Sequence, residues 1–267
     1  MKVLVIGSGG REHALVWRLA QSPLVESLAA APGNAGIARI ARCVPANMQN
    51  PEELLQVAES MGADLTVAGP EAPLVAGVVD AFRAAGRAIV GPTKAAAQLE
   101  GSKIFAKRFM SQAGIPTARF VAVETEADAL RALSDFDFPV VLKADGLAAG
   151  KGVVVASSRE EAEQTIRDLV SGKLVGAAGS KLVIEEFLTG EEVSFIVLSD
   201  GERALALEPT QDHKAVYDGD TGPNTGGMGA YCDSRILTAE QRQEVMDRVI
   251  APALEQMRAN GTPFTGF

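Results

Sequence analysis

Cysteine, histidine and tryptophan are scarce in this 267-residue chain, at two, two and one copies. Cys43 and Cys232 lie far apart, form no C-x-x-C pair and have no histidine cluster beside them. That spacing argues against a zinc site and leaves two reduced structural thiols. Long apolar runs are missing too. No stretch reaches the roughly eighteen uncharged residues that a bilayer span needs, and the N-terminus lacks the charged-then-apolar pattern of an export signal. The expectation is a soluble, cytoplasmic protein with no membrane partner. Positive charge is the minority sign, 25 Lys and Arg against 34 Asp and Glu, for a formal net charge of -9. No basic face can then neutralise a row of phosphates, so nucleic acid is excluded as a general partner, while small anions remain open to local sites. Fixed-period repeats and low-complexity tracts are also absent, which sets aside solenoids and disordered tails.

Apolar residues, at 47%, are ample for real cores, and the length suggests two or three units. In the first hundred residues short apolar runs alternate with helical patterns. Val3 to Ile6, Leu28 to Ala31, Leu65 to Ala68 and Ala88 to Val90 read as strands. Asn50-Pro51-Glu52-Glu53 opens a helix: Asn50 caps, Pro51 fits the first turn, and Glu53 can reach back to the cap. Such alternation predicts an open parallel sheet with helices on both faces. Ligands of these sheets sit at the carboxyl ends of strands. The rule selects three turns: Gly7 to Arg11, Pro32 to Gly36, and Gly69-Pro70-Glu71-Ala72-Pro73.

The first turn, Gly7-Ser8-Gly9-Gly10-Arg11-Glu12-His13, tests the dinucleotide fingerprint G-x-G-x-x-G and fails it. The third glycine falls at position 12, where Glu12 stands, so the turn suits a smaller ligand. Backbone N–H groups around Gly9 and Gly10 suit a ribose or a single phosphate at a strand end. His13 reads as a packing or orienting residue.

Beyond Gly91-Pro92-Thr93 the pattern changes. Helices are expected at Lys94 to Leu99 and Ile104 to Ala113, then a strand at Arg119 to Val123 and a helix opened by Thr125. Strands follow at Val140 to Ala144, Val153 to Ala156 and Leu182 to Phe187, with a helix capped at Ser158 between the last two. Val193 to Leu198 and Ala204 to Leu207 flank Asp200-Gly201, a hairpin signal. A final helix opens at Thr238 to Gln241 and stops at Asn260-Gly261, and a new strand begins at Thr265. Trp17 and the methionines are expected in the core, and Glu160 to Glu163 on a solvated helix face.

Two stretches carry chemistry. In the first, Lys143 ends a strand, the small-residue run Ala144 to Gly152 follows, and Lys151 precedes the next strand. Glycines such as Gly150 and Gly152 let backbone N–H groups approach phosphate oxygens, and the lysines add point charge. A Walker loop differs, since its lysine opens a helix. In the second, Leu182 to Ser194 runs from apolar residues into Glu185, Glu186, Leu188 and Glu192. A purine can be held there by one backbone N–H and C=O with a carboxylate at its amine, and a further carboxylate can take the ribose hydroxyls. Asp212 and Lys214 alternate with His213 along an extended segment, so they share a side and His213 faces away.

The order of Lys103, Lys143, the loop to Gly152, Glu185 to Leu188 and Glu192 resembles the ATP-grasp enzymes. Within them the chain is similar to the glycinamide ribonucleotide synthetase (phosphoribosylamine-glycine ligase) family. That likeness rests on Gly7 to His13, Ala31 to Gly36, Gly69 to Leu74, Leu99 to Lys103, Lys143 to Gly152, Gln211 to Lys214 and Asp220 to Tyr231. It covers the whole chain. It implies an α/β fold with a Rossmann-like pre-ATP-grasp domain at 1–101, a linker with helices at 102–122, and an incomplete α+β ATP-grasp domain. The latter divides into a small subdomain with the glycine-rich flap at 123–191 and a partial large subdomain at 192–267.

The implied reaction joins glycine to 5-phosphoribosylamine at the expense of ATP, through glycyl phosphate, giving glycinamide ribonucleotide, ADP and phosphate in purine biosynthesis. The resemblance puts Lys103, Lys143, Gly150, Lys151 and Gly152 on the nucleotide phosphates, Glu185, Glu186 and Leu188 at adenine and Glu192 at the ribose. It puts Gly9, Gly10, Asn34, Gly69, Pro70 and Glu71, with Asp212, Lys214, Asn224, Thr225, Gly226, Gly227 and Met228, on the other substrates. Asn224 to Gly229 is read as a loop lining the acceptor site. Lys143, Asp212 and Lys214 would be catalytic. The complete family enzyme uses Mg2+ or Mn2+, but its ligands lie on a segment beyond the position equivalent to Phe267, so no metal ligand is assigned here. The chain alone is expected to be a monomer with weak or no ligase activity. Alternative readings are a non-catalytic nucleotide- or sugar-phosphate-binding fragment and another purine-pathway ATP-grasp ligase.

Overall fold

The computed structural model describes residues 1–147, 152–173, 181–219 and 221–267, apart from the side chains of 223 and 224. Contacts divide the chain into two units. The first contains residues 1–101, 199–202 and 257–267, and the second contains residues 102–198 and 203–256.

The first unit is built on β1 (Lys2–Gly7), β2 (Ser27–Pro32), β3 (Arg42–Cys43), β4 (Leu65–Ala68) and β5 (Ile89–Val90), all parallel, in the order β3-β2-β1-β4-β5. The central strand explains the uninterrupted apolar run. Leu4 and Ile6 point to one face, where they meet Leu54, Ala58, Val78, Val79 and Phe82, while Val5 points to the other against Val16, Ala30 and Ile37. The first face is covered by α2 (Pro51–Met61), α3 (Glu71–Ala76) and α4 (Val78–Ala84), and the second by α1 (Gly10–Leu19). The open parallel sheet is therefore as expected. Asn50 caps α2 through the Glu53 amide at 3.3 Å, and Gly62, in the left-handed region at φ 64°, ends it. Glu53 reaches the amide of Asn47 instead of returning to Asn50.

Two expectations in this unit are corrected, and one strand was not foreseen. The helix expected at Lys94 to Leu99 is confined to α5 (Gln98–Gly101), because Asp80 and the Thr93 hydroxyl take the amides of Lys94 and Ala96 into turns. Strand β3 had too few residues to leave a periodic signal. Trp17 lies 57% exposed on α1 instead of in the core, because Glu12 and Val16 are the residues of that helix turned to the sheet.

In the second unit α6 (Lys103–Gln112) precedes an antiparallel sheet of order β6-β9-β7-β8, made of β6 (Phe120–Val123), β7 (Val140–Ala144), β8 (Val153–Ala156) and β9 (Leu182–Glu186). One face packs Val140, Leu142, Ala156, Leu182 and Ile184 against α7 (Glu126–Ala132) and α8 (Arg159–Val170), through Ala129, Ile166 and Leu169. The register puts Phe120, Val141, Lys143, Val153, Val155, Val183 and Glu185 on the opposite face. Strand β10 (Val197–Asp200) and β11 (Ala204–Ala206) form the expected hairpin, with the Leu207 amide bonded to Ile196 O. The strand expected from Val193 is reduced there to one bridge between Ser194 and Thr210.

A longer hairpin follows, β12 (Thr210–Tyr217) against β13 (Thr221–Cys232). Thr238 and Gln241 form a capping box for α9 (Ala239–Val245), which passes through a π-helical segment, Met246–Ile250, into α10 (Ala251–Ala259). The chain ends in β14 (Thr265–Gly266), antiparallel to Ser199 and Asp200, so the new strand at Thr265 is present.

Candidate active site

In the first unit the strand order reverses between β1 and β4, and the turns after these strands meet there: the Gly69 amide bonds Ile6 O, and Arg11 donates to Gly69 O at 2.8 Å. Glu12 is the organising side chain. It is 4% exposed, and its Oε2 accepts the Gly9 amide at 2.7 Å. A methyl group at Gly7 would lie 2.4 Å from Glu12 Cγ, and one at Gly69 would lie 2.3 Å from its Oε1. The glycines thus leave room for a carboxylate belonging to the chain itself. Gly9 and Gly10 are exposed at the mouth of the turn, but the Gly9 N–H is already engaged by Glu12. Asn34 ties the first and second turns together, donating to Ser8 O at 2.8 Å and accepting from the amides of Gly36 and Ile37 at 2.8 and 2.9 Å. The His13 ring lies where a Gly36 side chain would be, in keeping with a packing role. Pro70 and Glu71, both partly exposed, begin α3 at the same strand end as buried Gly69.

In the second unit the run from Ala144 is anchored at both ends. The Ala144 amide bonds Gly152 O at 2.7 Å and the Asp145 amide bonds Lys181 O at 2.9 Å. The Asp145 carboxylate accepts from the Ser102 hydroxyl at 2.9 Å and the Ile104 amide at 3.1 Å, so it caps α6, and Lys103 donates to Gly146 O at 2.7 Å. Gly150 and Lys151 lie outside the described residues. On the sheet face away from α7 and α8, Glu185 is 4% exposed and pairs with two ammonium groups, Lys143 and Lys107, the latter at 2.5 Å. Glu186 turns elsewhere and accepts the Arg119 amide at 2.8 Å, while Leu188 is 63% exposed. The result is a mainly apolar surface of Phe120, Val141, Val153 and Val155 bearing one ammonium, Lys143, at its exposed side.

Along β12, Lys214 pairs with Asp212 at 3.2 Å and with Glu192 at 3.0 Å, so the two residues expected to share a side do, with Glu192 beside them. The Lys214 ammonium is held above the ordinary lysine range, first by its hydrogen bond to Glu192 and then by Asp212, against partial burial. His213 faces the other way and stacks on Tyr231 at 5.8 Å. The segment read as a loop, Asn224 to Gly229, is part of β13, with Asn224 opposite Ala215 and Gly229 opposite His213. Thr225, Gly226, Gly227 and Met228 bulge out between those two pairs, opposite Lys214. Gly227, at φ 120°, makes the bulge possible, and its amide bonds the Thr225 hydroxyl at 3.0 Å.

Comparison with known proteins gives the family. Residues 1–100 match the family description "Phosphoribosylglycinamide synthetase, N domain", and residues 101–267 match "Phosphoribosylglycinamide synthetase, ATP-grasp (A) domain". The chain belongs to the phosphoribosylglycinamide synthetase family. It is 56% identical to the phosphoribosylamine--glycine ligase of Xylella fastidiosa (strain Temecula1), and 55% identical to that of Escherichia coli O6:H1. In both cases the match takes in 100% of this chain and 63% of the relative, so the chain spans under two thirds of the length of these curated proteins. The crystal structure of the Thermotoga maritima ligase superposes with a TM-score of 0.85 at 33% identity, again over 100% of this chain and 63% of that one. The biotin carboxylase domain of a Hydrogenobacter thermophilus 2-oxoglutarate carboxylase shares the fold, with a TM-score of 0.71 at 21% identity over 96% of this chain and 58% of that one.

Within the phosphoribosylglycinamide synthetase framework, sequence reasoning missed three side chains that the structure makes central. Lys107 lies four residues after Lys103, hence on the same side of α6, and that i, i+4 spacing was the available signal. Asp145 follows a strand-ending lysine, but its bond to the start of α6 spans 41 residues and leaves no local trace. Glu12 was noticed only as a departure from a glycine pattern that it in fact explains.

Proposed function

We propose that the protein to which this chain belongs is an ATP-dependent carbon-nitrogen ligase that joins glycine to 5-phosphoribosylamine through glycyl phosphate. Such chemistry depends on positioning and charge neutralisation, with little covalent participation by side chains. The observation carrying the reading is the pairing of Lys143 with buried Glu185 on an otherwise apolar sheet face, inside the segment that matches an ATP-grasp domain. On this reading a nucleotide lies against that face with its phosphates toward Lys143 and Lys103. Adenine meets the backbone near Leu188, and Lys151 and the glycines of the loop follow the phosphates. Asp212 and Lys214, with the bulge from Thr225 to Met228, take the glycine and its activated carboxylate. Glu192 in this scheme holds Lys214 as well as a ribose hydroxyl.

In the first unit, the sugar phosphate and its amine are taken by Gly10, Gly69, Pro70 and Glu71. Asn34 and Glu12 hold their turns in shape. The domain division we propose keeps 1–101 for the amine substrate and the remainder for ATP and glycine. Among the described residues no group of three or more His, Cys, Asp or Glu side chains is arranged to hold a metal ion, so no step is derived through one.

The test is calorimetric titration of ATP into the chain and into its Lys143→Met variant. The variant is expected to keep its thermal transition and bind ATP at least about tenfold more weakly, as loss of a phosphate-facing charge implies. Equal affinities in the two proteins would refute the nucleotide site.

A further inference from the structure

Lys107 is 7% exposed, yet its ammonium is surrounded by oxygen: Thr117 Oγ1 at 2.7 Å, Ala118 O at 3.3 Å and Glu185 Oε2 at 2.5 Å, with the Phe120 ring 5.5 Å away. A buried lysine so placed is costly unless paired, and its carboxylate partner is itself shared. Glu185 turns Oε1 to Lys143 and Oε2 to Lys107. Its contact with Lys107 is one of charge, without the angles of a hydrogen bond, so proximity of the two charges is what the arrangement preserves.

We propose that Lys107 is a positioning residue for the nucleotide site: by occupying half of the Glu185 carboxylate it keeps Lys143 only half neutralised. This rests on reading the open sheet face as the ATP site. Two ammoniums and one carboxylate leave the trio one positive charge in surplus. Lys107 is sealed in, and the Lys143 side chain is 29% exposed, so the surplus is presented to whatever lies on the open face. Without Lys107 the carboxylate would belong wholly to Lys143, the trio would become neutral, and an anionic tail would lose its attraction. A lysine kept for packing alone would affect the charged and uncharged parts of a nucleotide alike.

The experiment measures ATP and adenosine affinities by calorimetry for the wild-type chain, K143M, K107M, E185Q and K107M/E185Q, with thermal unfolding as a check. K107M is expected to weaken ATP about tenfold while leaving adenosine within about twofold, and K107M/E185Q, whose trio again carries one positive charge, to recover most of the ATP affinity. A folded K107M with unchanged ATP affinity, or with equal losses for ATP and adenosine, overturns the inference while the nucleotide site stands, provided that K143M weakens ATP. An ineffective K143M removes the site and the inference together. Should K107M fail to fold, K107Q, whose side-chain amide can still donate to Thr117 and Ala118 but carries no charge, takes its place: an ATP loss of about tenfold with adenosine within about twofold supports the role of charge, and an absent loss or equal losses for the two overturn it.

Discussion

At the scale of single residues, two side chains set local behaviour that can be measured. Gly7 has φ 133°, and a methyl group there would meet Glu12 at three atoms within 3 Å. Gly7→Ala therefore combines backbone strain with overpacking of a buried carboxylate, and is expected to cost about 1–3 kcal/mol in urea unfolding. A neutral result would mean that Glu12 does not fill the strand crossing. Lys214 gives a pH prediction. Its folded-state value is raised above 10.5 by Glu192 and Asp212, so its pairing contributes fully below that pH and is lost only as pH climbs through the raised value. NMR titration of the Lys214 side chain should show no change between pH 6 and 9, and Glu192→Gln should move its midpoint back toward the ordinary range. The sharing of a side by Asp212 and Lys214 was legible because alternation along a strand is a local rule. The involvement of Glu192, some twenty residues away, was not.

Among the elements, α6 shows how a helix is fixed at one end by a distant loop. Ser102 caps it by accepting the Phe105 amide at 3.1 Å, and the same hydroxyl donates to Asp145, which also takes the Ile104 amide. A carboxylate at a helix N-terminus serves both the unpaired amides and the helix dipole. Asp145→Asn keeps the shape but loses the charge, and is expected to lower stability by about 1 kcal/mol in denaturant titration. A loss no greater than that of Asp137→Asn, at an exposed position, would contradict the capping role. Strands, helix starts and helix stops were read from the sequence because their causes are neighbours in the chain: Asn50 before Pro51, Thr238 before Gln241, Asn260-Gly261 after Ala259. The parallel order could be expected as a class, but which strands pair cannot be read from period alone. The bulge in β13 stayed hidden for a similar reason, since glycine-rich runs read alike whether they leave a ladder or interrupt one.

For the whole molecule, the telling feature is that the first unit is discontinuous. Residues 257–267 return to it after the second unit has been built, and there Arg83 donates to the Thr265 hydroxyl at 2.8 Å, which in turn bonds Gly91 O at 3.0 Å. Gly266, at φ 106°, passes so close that a methyl group would lie 2.9 Å from Gly91 Cα, so only glycine fits this crossing. No sequence period could have foretold this return, because the contacts join positions more than 170 residues apart. Met257 opens the returning segment and is fully buried. Met257→Ala should therefore remove about 2–5 kcal/mol from the first unit, the range for emptying a buried methionine site. Hydrogen exchange resolved by peptide can locate the loss. Amides of β1, β4 and β5 are expected to exchange faster in the variant, and those of β7 and β9 to keep their rates, since their core of Leu142, Ile166, Leu169 and Ile184 contains no residue of the returning segment. Uniform acceleration in both sheets would instead mean that the two units unfold as a single cooperative body, with Met257 stabilising the whole chain.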